Sequence, residues 1–219
     1  GNGKFAFGMD ITGLQTFAPF NTLSDWGWHS YPLPEGTKVK DYRPVVVETH
    51  GKKIAYELRN PDQPELSEWL TKNPHRYNLG RIGFRLLRED GTEAKEIDLG
   101  NARQEIDLWT GVVYSRFELN RKVVKVRTVC HPDKDMIGVS IESELLNDGN
   151  MSICLDFPYP DGRYFKHYIG RYDTISGHTS TFEKLAPNSV RIARTMDDTH
   201  YCATLDWTGP ATFSRESEK

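Results

Sequence analysis

From about Gly100 onward apolar residues recur at every second position, and no other feature narrows the fold so far. Val124, Val126 and Cys130 alternate with Lys125 and Arg127. Ile137, Val139, Ile141 and Leu145 alternate with Ser140, Glu142 and Glu144, and Met151, Ile153, Leu155 and Phe157 repeat the pattern. Val190 and Ile192 later flank Arg191. Successive strand side chains point to opposite faces, so each run predicts a strand with one apolar and one wet face. The breaks between runs have turn chemistry. Asn120-Arg121 lies between two runs as a tight hairpin, and Asn147-Asp-Gly-Asn150 tolerates positive φ. His131-Pro-Asp-Lys-Asp135 stops a ladder, because proline has no N–H to donate. Short strands joined by such loops predict an all-β fold, an antiparallel sandwich of two facing sheets.

One short helix interrupts the pattern. Pro64-Glu-Leu-Ser-Glu-Trp-Leu-Thr71 starts after Asp62 with proline in its first turn, and Asn73-Pro74 ends it. Leu66, Trp69 and Leu70 share one helical face, as expected of a packing helix across a sheet edge. Residues 1–219 carry no repeat, low-complexity tract or linker and read as one domain.

Composition narrows the partners. A net charge of −3 with intermixed signs gives no footprint for nucleic acid, and no apolar run approaches the roughly 18 residues of a membrane span. Cys130, Cys154 and Cys202 are odd in number and far apart; the strand positions of Cys130 and Cys154 predict buried thiols. Gly1-Asn-Gly3 leads into alternating Phe5, Phe7 and Met9, which is not the strand-then-helix setting of a phosphate loop. The histidines have no zinc spacing, and there is no Gly-x-Ser-x-Gly elbow. No cofactor is implied. Asp10, Asp25, Asp107 and Asp161 lie near aromatics, but nothing in the sequence fixes the separation that a glycosidase pair requires.

Three segments concentrate chemistry. Asp25-Trp26-Gly-Trp28-His29 places two indoles and a histidine in loop-like sequence. They either plug the end of the sandwich or offer flat faces and polar rims to a sugar ring. Gln104-Glu-Ile-Asp107-Leu-Trp109-Thr-Gly111 has Asp107 and Trp109 at the same strand parity, on a wet sheet face or a groove wall. Asn73-Pro-His75-Arg76-Tyr-Asn78-Leu-Gly80-Arg81 gathers donors before a strand and reads as turn structure rather than a ligand clamp.

Taken in order, Gly1-Asn-Gly, Phe5-Ala-Phe, Asp10-Ile-Thr-Gly-Leu-Gln-Thr-Phe17, Asp25-Trp-Gly-Trp-His29, Asn73-Pro-His-Arg76, Leu79-Gly-Arg-Ile82, Asp107-Leu-Trp-Thr-Gly111, His131-Pro and Phe157-Pro-Tyr-Pro160 resemble the amino-terminal region of bacterial six-hairpin glycoside hydrolases. The group lies near glycoside hydrolase family 65 and is common in gut Bacteroides. The resemblance spans most of the chain and implies a β-supersandwich that braces an (α/α)6 barrel carrying the catalytic carboxylates. No helical-hairpin repeat follows the strands here, so the expectation is a non-catalytic domain truncated from a larger periplasmic or extracellular enzyme. The implied partners are a carbohydrate and the missing barrel. By motif position, Asn2, Trp26, Trp28 and His29 are expected at the glycan, with Asp107 and Trp109 as second candidates. A free-standing lectin-like module and a ligand-free adhesion sandwich are the alternatives.

Overall fold

A computed structural model describes residues 1–18, 20–57, 59–160, 169–173 and 176–216. The chain is all-β and antiparallel, with one short α-helix among the described residues. In chain order the strands begin with β1 (Phe5–Phe7), β2 (Thr22–Ser24), β3 (Trp28–His29), β4 (Val45–Thr49) and β5 (Lys52–Tyr56). Helix α1 (Pro64–Lys72) precedes β6 (His75–Arg76), β7 (Arg81–Leu86), β8 (Gly100–Asp107), β9 (Val112–Leu119) and β10 (Lys122–Cys130). Then come β11 (Ile137–Glu142), β12 (Met151–Asp156), β13 (His178–Ala186), β14 (Ser189–Met196) and β15 (Thr199–Asp206). Backbone contacts group them into two compact units: residues 1–27, 77–160 and 169–173, and residues 28–76 and 176–216.

The first unit is the sandwich. Its four-stranded sheet runs β11-β10-β9-β8, and β12 pairs with β7 in a second sheet. Phe117, Leu119, Val124 and Val126 from the larger sheet meet Phe84, Leu86 and Met151 from the smaller, with Leu14 and Leu145 in the same core. The alternation in β9 and β10 is as the sequence predicts: Tyr114, Arg116, Lys125 and Arg127 face water while their neighbours are buried. Asn120 and Arg121 both take positive φ, +53° and +61°, as a two-residue hairpin with matching twist requires. Leu145 departs from the strand reading. It is fully buried, but from a 3₁₀ turn (Glu144–Leu146) in which Ser143 Oγ accepts the Leu145 N–H at 3.2 Å. The periodicity also weakens in β12, where Ile153 is exposed.

A polar loop, residues 10–17, is inserted into this sandwich. The buried Asp10 carboxylate accepts from Thr12 N–H (2.9 Å), Thr12 Oγ1–H (2.6 Å), Phe17 N–H (2.5 Å) and Ala18 N–H (3.2 Å). Gln15, with no exposed surface, donates to Gly8 O and accepts from Ile82 N–H. Thr128 Oγ1 donates to Gly13 O at 2.7 Å, and Gln104 Nε2 bridges Asp10 O and Ser115 Oγ. A Cβ at Gly83 would lie 2.6 Å from Gln15 O, so glycine is what lets β7 approach this loop.

In the second unit β13-β14-β15 form a meander, β4 and β5 a hairpin, and β3 pairs with β6 (Trp28 opposite Arg76, His29 opposite His75). Helix α1 begins at Pro64 as expected and ends at Asn73, whose extended backbone (φ −128°, ψ 143°) precedes Pro74. Asn73 Nδ2 donates to Trp69 O, and Glu68 and Lys72 pair at 2.6 Å one turn apart. Arg194 is buried on the otherwise apolar face of β14, donating to Ser180 Oγ (2.5 Å) and meeting His178 Nδ1 (2.6 Å). None of the three cysteines is in a disulfide, but Cys130 and Cys154 are only half-buried and Cys202 is exposed. The expectation of buried thiols therefore fails: Cys130 ends its strand beside a loop, and Cys154 belongs to the weakly alternating β12.

Candidate functional site

The second unit contains an open cavity of about 410 Å³, lined by the Trp28–Leu33 segment, Trp69, Pro74, and the Asp198–Thr199 end of the β14–β15 turn. Each wall is fixed by specific contacts. The Arg76 guanidinium lies 4.4 Å from the centroid of the Trp28 ring, which holds the half-exposed indole (48 %) in place. Trp69 Nε1 donates to Tyr31 O at 2.8 Å, and the Tyr31 N–H donates to Asn73 Oδ1 at 2.7 Å, joining the helix to the segment after β3. Tyr31 stacks on His75 with centroids 4.8 Å apart and planes 22° apart.

Behind these aromatics runs a chain of polar contacts. His29 is fully buried; its Nε2 lies 3.0 Å from Asp197 Oδ2 and its Nδ1 3.4 Å from His75 Nε2. His75 Nδ1 lies 3.0 Å from Lys72 O. Burial pushes the His29 imidazole below the ordinary histidine value, against the opposing pull of the Asp197 hydrogen bond and charge and the charge of Asp198. His75 is lowered first by burial and then by the charge of His29, with the Lys72 carbonyl opposing. Asp197 takes φ +48° in the two-residue turn between Met196 and Thr199, a conformation that Asp and Asn tolerate best after glycine.

The residues expected at a ligand divide between the two units. Trp28 and His29 belong to the cavity, with Trp28 on its surface and His29 behind it. Asn2 and Trp26 instead meet the 131–135 loop of the first unit. Asn2 Nδ2 donates to His131 O and Lys134 O, and its Oδ1 accepts the N–H groups of Lys4 and Phe5. Trp26 Nε1 donates to Asp135 Oδ2 at 2.6 Å, and Ser24 Oγ donates to the same oxygen at 2.5 Å. Half of the Trp26 surface stays exposed (48 %), so neither indole of the loop is a core plug.

Asp107 and Trp109 do not share a strand face, contrary to their parity. Strand β8 ends at Asp107, whose carboxylate turns back to accept Trp109 N–H (2.9 Å), Thr110 N–H (3.4 Å) and Thr110 Oγ1–H (2.8 Å). The Thr110 hydroxyl bond leads the causes that hold this carboxyl below its usual range. Trp109 lies in the turn, 96 % exposed. Of the other carboxylates near aromatics, Asp10 is committed to the 10–17 loop, Asp25 is exposed with its Oδ1 3.4 Å from the Ser24 hydroxyl, and Asp161 lies outside the described residues.

Sequence reasoning missed Tyr31, Trp69, His75 and Arg76 as partners of Trp28 and His29, and the Asp197–Asp198 turn. A signal existed in Asn73-Pro-His75-Arg76-Tyr-Asn78-Leu-Gly80-Arg81, a donor-rich run that reads as turn structure; its first half supports the cavity. Its second half is structural as read, since Asn78 Oδ1 accepts from Thr22 N–H and Nδ2 donates to Ile169 O. Among the described residues no group of three or more His, Cys, Asp or Glu is arranged to hold a metal ion. No helix among them is long and apolar enough to cross a membrane. Neither family models nor curated proteins nor solved structures give a match to this chain.

Proposed function

We propose that this chain is a carbohydrate-contacting, non-catalytic β-sandwich region of a glycoside hydrolase, bracing the catalytic barrel of a larger protein and offering an aromatic loop to its glycan. The observation that carries the reading is the cavity of Trp28, Tyr31 and Trp69 rimmed by Asp198 and Thr199. A sugar ring presents an apolar C–H face and a hydroxyl rim, and those two surfaces need aromatic faces beside short polar groups. The exposed half of Trp28, backed by Arg76, is a rigid platform of that kind. Catalysis falls to the barrel in this reading, because Asp10 and Asp107 are engaged in shaping their own loops.

The test is calorimetric titration of the 219-residue chain with a panel of α- and β-linked gluco-, galacto- and manno-oligosaccharides. At least one sugar binds, and Trp28→Ala weakens it about tenfold, the loss of about 1.4 kcal/mol of stacking. The same substitution lowers the melting temperature by only about 2 °C, the loss of one exposed cation–π contact. Absence of binding across the panel, or equal affinity after the substitution, refutes the reading.

A further inference from the structure

Three contacts behind the cavity cannot all be hydrogen bonds at once unless an extra proton is present. Three contacts link four groups in series: the Lys72 carbonyl, His75, His29 and the Asp197 carboxylate. Both ends of the series accept hydrogen bonds only. Three hydrogen bonds between two terminal acceptors require three protons, and two neutral imidazoles supply two. With His75 Nδ1–H donated to Lys72 O, His29 has two choices. It can donate to Asp197, leaving its Nδ1 lone pair facing that of His75 Nε2 at 3.4 Å, or donate to His75, leaving its Nε2 lone pair facing the carboxylate at 3.0 Å. One added proton satisfies all three contacts wherever in the series it resides.

We propose that Asp197, His29, His75 and the Lys72 carbonyl form a one-proton latch that takes a proton from water on acidification and then ties together the two walls of the aromatic cavity. His29 follows Trp28 on one wall, and Asp197 precedes Asp198 on the other, so the His29–Asp197 contact joins the segments that line the opening. Neighbouring charges are distributed around the series. Asp198 adds negative potential at His29, Arg76 is held over Trp28, the Lys72 ammonium is paired with Glu68, and His200 on β15 bonds the Thr195 hydroxyl. Burial opposes the proton at both rings, which places its uptake on the acid side of the ordinary histidine range. The consequence for a ligand rests on the sugar-binding reading. The proton count does not, and its test uses no sugar, so either idea can fail alone.

The discriminating variant is Asp197→Asn, which suits the positive φ and replaces an acceptor with a donor. The amide N–H then donates to His29 Nε2, His29 Nδ1–H to His75, and His75 Nδ1–H to Lys72 O, so the neutral series is complete. At pH 8 the variant therefore melts within about 2 °C of the wild-type chain or above it, and its advantage shrinks as the pH falls. In wild-type protein, nitrogen-detected long-range NMR shows His75 protonated at Nδ1 at pH 8, and the two rings report one shared titration. A larger loss of melting temperature in Asp197→Asn at pH 8, or two independent midpoints for His29 and His75, overturns the latch.

Discussion

The two units use buried polar groups in different ways. In the sandwich, Asp10, Gln15 and Thr128 are bound to backbone N–H and C=O groups of the 10–17 loop and its neighbours, and Ser115 bonds through Gln104 to the same loop. The second unit has such backbone-bound groups too, in Asn60 and Ser67, but it adds buried ionisable side chains that meet other ionisable side chains: His29 with His75 and Asp197, Arg194 with His178. A polar side chain that saturates backbone has one arrangement and no second state. A set of titratable side chains in contact has several, and burial adjusts the balance among them. Architecture and chemistry are thus separable here by asking what a buried polar atom bonds to.

The largest effect that would sharpen this contrast belongs to the sandwich. Asp10→Ala strands the N–H groups of Thr12, Phe17 and Ala18 and the Thr12 hydroxyl, and is expected to cost about 4 kcal/mol. Urea denaturation of the variant checks it. A cost below about 1 kcal/mol would mean the loop finds other partners, and the contrast with the second unit would weaken.

The next effect belongs to the second unit and depends on pH. His29 and His75 both have lowered values in the folded chain, so between the folded and unfolded values the unfolded chain binds more protons. Their contribution to stability is complete above the unfolded histidine value of about 6.5 and is lost as the pH falls through the folded values. Melting temperature is expected to decline from pH 7 toward pH 5, and replacing both histidines should flatten that decline. A flat wild-type profile would place the acid response elsewhere. The tenfold loss of sugar affinity on Trp28→Ala comes next in size.

The sequence makes local features legible and distant ones not. The Asn120–Arg121 hairpin, the alternation of β9 and β10, and the stop at Asn73-Pro74 each follow from residues within a few positions of one another. Leu145 shows the limit of periodicity: its burial is read correctly, yet Ser143 diverts the chain into a 3₁₀ turn that keeps the side chain inward. Asp107 and Trp109 show another, because a carboxylate that caps its own turn ends the strand on which parity depends. The cavity is harder still. The His29–Asp197 contact spans 168 positions, and no local pattern indicates which of the seven aspartates in the last third of the chain it uses. His29 itself is visible as a residue out of place in a loop; the histidine, helix carbonyl and turn that surround it are supplied by topology.

The smallest effect on stability separates display from support. Trp109 is 96 % exposed on a turn whose shape is held by the Asp107 carboxylate, not by the indole. Trp109→Ala should therefore change stability by no more than about 0.5 kcal/mol, whereas Trp28→Ala removes a stacked guanidinium as well. If the cavity alone contacts the glycan, Trp109→Ala also leaves oligosaccharide affinity within twofold of the wild-type chain. A tenfold loss of affinity at unchanged stability would instead make the β8–β9 turn a second sugar platform. The division of labour drawn above would then fail in a specific way, with the sandwich as well as the second unit in contact with ligand.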